Sequence, residues 1–173
     1  MLVAMAGLPG SGKSAVADEL ARLVGVPVVS VDPLESAILR AGIDADQPTG
    51  LAAYLVAETI ADAVLRSGQS VIIDAVNAVS PAREQWVLLG ERLGVDVRFI
   101  ETVCSDPAVH RQRLEQRRRD LAHIAEPTWH AVEQSLDEYA PWSGIAEQRP
   151  RLTLDTVQPL AALVERAAAF VRA

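Results

Sequence analysis

Eight consecutive residues near the amino terminus carry the densest chemistry in the chain: Gly7, Leu8, Pro9, Gly10, Ser11, Gly12, Lys13 and Ser14. They satisfy the whole G-x-x-x-x-G-K-[ST] pattern, and they stand between an apolar strand at 2–6 and an amphipathic helix opening at Lys13, the flanks this pattern requires. Gly10 and Gly12 permit a tight turn with positive φ, which aims successive N–H groups inward at phosphate oxygens. The following helix, with Ala15 in its first turn, adds a positive end. Lys13 is expected at the β- and γ-phosphates of a purine nucleoside triphosphate, ATP in the first instance, and the Ser14 hydroxyl on Mg²⁺. A dinucleotide loop is disfavoured, because the order here is GxxGxG with a lysine directly after it. Lys13 is the sole lysine of the chain.

Two acidic residues and a group of arginines could complete such a site. The apolar run Val71, Ile72, Ile73 ends in Asp74, in the manner of a Walker B strand whose carboxylate orients Mg²⁺ or its water. Asp32 ends the second apolar segment. It reads equally as a helix N-cap before Pro33 and as a carboxylate at the ligand-bearing edge of the sheet, placed to take the proton of an attacking hydroxyl. Arg111, Arg113, Arg117, Arg118 and Arg119 crowd one segment. They are either a solvated helix face alternating with Glu115 and Asp120, or a source of phosphate clamps, with Arg113, Arg117 and Arg118 the candidates. His110, His123 and His130 show no metal-ligand spacing and read as surface or core. Trp86, Trp129 and Trp142 read as packing residues, the last two close enough to the arginine segment to reach a substrate.

The elements that must position these groups alternate regularly. Strands are predicted at 2–6, 26–31, 70–74, 95–103 and 152–155. Helices are predicted at 13–24, 32–41, 49–66, 80–93, from 106 through the arginines, 128–139 and 159–171; Asp32-Pro33, Ser80-Pro81 and Asp106-Pro107 supply matching start signals. Such alternation means a parallel sheet covered on both faces, a three-layer α/β/α arrangement, and 173 residues suit one domain. No apolar run is long enough to cross a bilayer. A strand starting at Leu2 leaves no room for a leader, and the lone Cys104, at a strand end, reads as a buried thiol, so the cytoplasm is the expected location. The net charge of −7 argues against a broad nucleic-acid surface.

The succession GLPGSGKS, VVSVDPLESAI, VIIDAVNAVSPAREQW and RQRLEQRRRD resembles the small P-loop kinases of the adenylate-kinase-like group, chloramphenicol phosphotransferase and the 5′-kinase domain of polynucleotide kinases above all. The resemblance implies a five-stranded parallel sheet in the order 2-3-1-4-5 and ATP-dependent phosphoryl transfer to a substrate hydroxyl. It further implies Asp32 as general base, an arginine-bearing lid at 117–127, and an adenine-bordering turn at 152–156. Polynucleotide kinases place an arginine three residues after the catalytic Asp, where this sequence has Glu35, and the VDPLESAI segment is closer to that of the chloramphenicol kinase. The expected partners are a nucleoside triphosphate and a small-molecule hydroxyl acceptor, a metabolite or antibiotic, used by a monomer or homodimer. A polynucleotide 5′-hydroxyl kinase and a nucleotide-dependent switch or assembly ATPase are the other two readings.

Overall fold

Strand β1 (Leu2–Ala6) is buried at every position and forms the middle of a five-stranded parallel sheet. The computed structural model describes residues 1–117, 121, 124 and 126–173, with the backbone alone at 137 and 138. Beside β1 lie β3 (Val71–Asp74), with Leu2 opposite Val71, and β4 (Val97–Val103), with Ala6 opposite Glu101. The outer strands are β2 (Val28–Ser30), paired to β3, and β5 (Arg151–Asp155), paired to β4. The order β2-β3-β1-β4-β5 agrees with the expectation from resemblance.

Side chains alternate across a strand, so β1 feeds two cores. Leu2 and Ala4 point to one face, where α3 (Thr49–Arg66) and α4 (Ser80–Leu93) contribute Ala53, Ala57, Ala61, Trp86 and Leu89. The small residues at intervals of four let α3 lie close to the sheet. Val3 and Met5 point to the other face, covered by α1 (Lys13–Val24) and α8 (Leu160–Arg172) through Val16, Leu20, Leu163 and Ala167. The remaining helices are α2 (Val31–Arg40), α5 (Pro107–Gln116), α6 (Trp129–Glu138) and the short α7 (Gly144–Glu147), the last not foreseen from sequence. Among the described residues no helix is long and apolar enough to cross a membrane.

Two expected helix caps are corrected. Asp106 caps α5 as expected, its carboxylate accepting from the N–H groups of Ala108 and Val109. Asp32, however, lies inside the first turn of α2, and the cap position belongs to Ser30, whose hydroxyl bonds Asp74 instead of the helix. The strand passes into the helix without a loop, which leaves Asp32 two positions deeper than its Asp-Pro signature suggests. Ser80 likewise sits within α4 behind Val79 and bonds Ser143 across a 2.9 Å gap. Cys104 is half-buried, not buried, because β4 ends one residue before it.

The segment after α6 returns to the sheet through Arg83, a fully buried guanidinium on α4. It donates to the carbonyls of Asn77 (2.7 Å), Ala78 (3.0 Å), Ala140 (2.8 Å) and Pro141 (3.2 Å). The Tyr139 and Trp142 rings lie against it at 4.8 and 4.3 Å, contacts that suit a buried cation. Asn77, also fully buried and at φ 48°, donates to the Met5 carbonyl and accepts from the Trp86 indole. Replacement Arg83→Met takes the donor from the Asn77, Ala140 and Pro141 carbonyls, while Ala78 O keeps the Ala140 N–H at 2.9 Å. It is expected to lower the unfolding free energy by about 3 kcal/mol, read from urea denaturation; a loss under about 0.5 kcal/mol would show that those carbonyls find other donors.

Candidate functional site

The parallel register brings the carboxyl ends of β1, β2 and β3 to one edge, where the glycine turn leads from β1 into α1. Gly10 (φ 81°) and Gly12 (φ 88°) both take the left-handed conformation that the sequence pattern calls for. Their faces are crowded: a Cβ on Gly10 would sit 3.1 Å from the His110 ring, and one on Gly12 3.2 Å from Thr156 Cγ2. The turn is tied outward by hydrogen bonds. His110 Nε2 is 2.8 Å from the Pro9 carbonyl oxygen, the Thr156 hydroxyl donates to the Ser11 carbonyl at 2.8 Å, and the Gly7 N–H donates to Val76 O at 3.0 Å. Ser11 and Thr102 hydroxyls meet at 2.8 Å, and Leu8 packs beneath against Leu114 and Val132.

Within this edge Lys13 and Asp74 form a buried ion pair, Nζ to Oδ1 2.8 Å, with side chains 7% and 6% exposed. Oδ2 accepts from Ser14 Oγ at 2.7 Å and Ser30 Oγ at 3.1 Å. Burial works to raise the Asp74 pKa, but the Lys13 charge and the donors on Lys13, Ser14 and Ser30 outweigh it and hold the carboxyl below its ordinary range. The hydroxyl of Ser14 beside a carboxylate is an all-oxygen donor pair, which fits Mg²⁺. Among the described residues no group of three or more His, Cys, Asp or Glu could hold a metal. The pair therefore suits the kind of Mg²⁺ site completed by phosphate oxygens and water.

Around this centre the structure gathers most of the residues singled out from sequence. A cavity of about 110 Å³ is lined by Leu8, Gly10, Gly12, Lys13, Ser14, Ala15 and Arg117. Arg117 follows α5 and brings Nη2 to 3.8 Å from Asp32 Oδ2 and Nε to 3.9 Å from Glu126 Oε2. Asp32 thus faces the same mouth from α2. Behind it, the Tyr54 hydroxyl accepts from the Asn77 N–H at 3.2 Å. Burial raises the Tyr54 pKa, helped by the charges of Asp32, Asp74 and Glu35, with the Asn77 bond opposing. Glu35 accepts from the Thr49 hydroxyl at 2.8 Å. Arg113 goes to the opposite flank, where its Nη1 and Nη2 each donate at 2.8 Å to Thr156, to the hydroxyl and the carbonyl. There it borders a second cavity, of about 270 Å³, with Gly12, Ala15, Thr156 and Gln158. Arg118 and His123 lie outside the described residues. His110, read from sequence as surface or core, and Thr156, in the turn expected beside the adenine, gave no sign of these contacts, since nothing in their spacing marks a side chain that acts on a distant carbonyl.

A glycine turn with its lysine, set between the first strand and first helix of a 2-3-1-4-5 sheet, defines a P-loop α/β protein with the kinase arrangement of strands. The chain belongs to the AAA_33 family, described as an AAA domain, whose model matches residues 2–142. No curated protein sequence matches it. Among solved structures it is similar to a protein from Chloroflexus aurantiacus described as a candidate kinase, with a TM-score of 0.77 and 22% identity over 98% of this chain and 97% of that one. It is also similar to a sugar kinase from Janibacter sp. HTCC2649, with a TM-score of 0.73 and 21% identity over 99% and 94% of the two chains. A third is Chaetomium thermophilum Kti12 in complex with ADP-AlF3, with a TM-score of 0.74 and 16% identity over 99% and 97%.

Because the Asp74 pKa is lower folded than unfolded, the stability it contributes is present above about pH 4 and lost as pH falls through the lowered value. Without ligand, Asp74→Asn is expected to be less stable than the native protein at neutral pH. The difference should shrink steadily from about pH 4 downward in urea midpoints. Parallel pH curves for the two proteins would show that the Asp74 charge contributes nothing.

Proposed function

We propose that the protein is an ATP-dependent kinase that transfers the γ-phosphoryl group to a hydroxyl of a small molecule. The observation that carries this reading is the contact of Asp32 with Arg117, Oδ2 to Nη2 3.8 Å, since Arg117 also lines the cavity beside Lys13 and Ser14. In this reading the Gly7–Ser14 backbone and Lys13 hold the triphosphate, with Ala15 and Arg113 along the nucleotide. Ser14 and Asp74 hold Mg²⁺, which neutralises phosphate charge. Asp32 orients the acceptor and receives its hydroxyl proton as the new O–P bond forms; the bond from the γ-phosphorus to the bridging oxygen breaks, and ADP leaves with the electron pair. Arg117 and Arg118 offset charge on the transferring group from a lid at 117–127.

Several features support a small acceptor over a nucleic acid. The net charge is −7, and Glu35 occupies the position where polynucleotide kinases carry an arginine. The likeness of VDPLESAI to the corresponding segment of chloramphenicol phosphotransferase points the same way. Kinases among the structural neighbours agree with phosphoryl transfer as the chemistry. A switch or assembly ATPase would differ in hydrolysing ATP with no phosphorylated acceptor. The proposed setting is cytoplasmic.

With a panel of hydroxyl compounds and labelled ATP, Asp32→Asn is expected to lower kcat on the accepted compound by about 10²-fold or more while ATP-analogue affinity stays within about threefold. Lys13→Ala should lose phosphoryl transfer to a similar or greater extent. Undiminished transfer by Asp32→Asn would remove that carboxylate from the chemistry. Label appearing on oligonucleotide 5′ ends and on no small molecule would replace the acceptor class.

A further inference from the structure

The P-loop holds phosphate with its N–H groups, yet each peptide unit of the turn also carries a carbonyl, and in a trans peptide the two point in opposite directions. All peptide bonds of the described chain are trans. A side chain that captures a carbonyl on the outer side of the turn therefore fixes the next residue's N–H toward the inner side. Among the described residues there are two such captures: Thr156 Oγ1 on Ser11 O, which sets Gly12, and His110 Nε2 on Pro9 O, which sets Gly10. Both glycines line the cavity with Lys13, Ser14 and Arg117.

His110 is built for a fixed direction. Its residue is 5% exposed, on α5, and its ring meets Trp129 edge-on at 5.3 Å with an 82° interplanar angle. The Gly10 backbone lies against the Cδ2–Nε2 edge of the ring, so close that a Cβ there would sit 3.1 Å from Cδ2 and 3.3 Å from Nε2. Burial, the indole contact and the close Gly10 backbone together hold Nε2 toward the Pro9 carbonyl. Bonding to a carbonyl requires the hydrogen on Nε2, and this defines the tautomer.

We infer that His110 is a positioning residue for nucleotide binding: through the Pro9 carbonyl it aims the Gly10 N–H at a phosphate oxygen. The inference rests on the reading of the turn as a triphosphate site but not on the identity of the acceptor. It needs no proton transfer by the imidazole. Its role is directional.

The test compares the native protein with His110→Phe, which keeps a ring against Trp129 but removes the donor, and His110→Gln, whose side-chain amide restores one. The probe is the non-hydrolysable analogue AMPPNP with Mg²⁺, titrated by calorimetry beside urea denaturation of each variant. His110→Phe is expected to bind about tenfold more weakly and His110→Gln to recover to within about threefold, as one hydrogen bond is worth. In the native protein labelled with ¹⁵N, the Gly10 amide resonance should shift on AMPPNP binding, a reading that holds even where His110→Phe fails to fold. A variant that loses stability while its affinity stays native, or a Gly10 amide that ignores bound AMPPNP, would overturn the assignment. Absence of AMPPNP binding by the native protein would instead sink the triphosphate reading itself.

Discussion

A glycine turn that offers its N–H groups to a ligand faces one unavoidable constraint, since its carbonyls must be satisfied on the side away from that ligand. This chain meets the constraint from several elements. α5 supplies His110 to the Pro9 carbonyl and the residue after β5 supplies Thr156 to the Ser11 carbonyl, while β4 adds Thr102 against the Ser11 hydroxyl. Arg113, on α5 as well, locks Thr156 by bonding both its hydroxyl and its carbonyl. The turn is thus the meeting point of segments more than a hundred residues apart in sequence, and its shape is a property of the whole sheet edge. The glycines follow from the same arrangement: the side chains that hold the turn stand where a Cβ would otherwise go.

The sheet serves this edge with a second set of ties on its other side. Asn77 reaches from the β3–α4 connection to the Met5 carbonyl of β1, and Trp86 and Tyr54 hold Asn77 by its oxygen and its N–H. Arg83 then fastens the chain around 140–141 to the same connection. Glu101 on β4 accepts from both Tyr139 and Trp142, so the aromatic pair that covers Arg83 is itself anchored to the sheet. Tyr139 shows the effect of that setting: burial raises its pKa, with the neighbouring Glu101 charge adding to the rise. The result is a rigid floor under the groups that face a ligand.

The strands and most helices were legible because their signals are local. β1, α1, α3 and α4 begin and end where apolar periodicity and glycine place them, and the P-loop is written in consecutive residues. Asp106 could be read as a cap because nothing competes for its carboxylate. Ser30 and Asp32 could not, because a side chain sixty positions from the loop serine, Asp74, recruits the Ser30 hydroxyl and lets the helix start early. His110 and Arg83 illustrate the same limit more strongly. Each acts on backbone carbonyls, and a carbonyl has no residue type to betray it in a sequence. Arg113 was singled out from sequence as a phosphate clamp, but its bonds to Thr156 were not foreseen.

The contact between Lys13 and Asp74 has a consequence for selectivity. The lysine of the glycine turn is already neutralised inside the protein, at 2.8 Å and almost out of water. A bare anion that drew the ammonium toward itself would strand a carboxylate in a dry place, an outcome that costs more than one new contact returns. Only a visitor that brings positive charge of its own to Asp74 escapes this penalty. The pair thus ties the hold of this turn on any anion to the charge that reaches Asp74 at the same time.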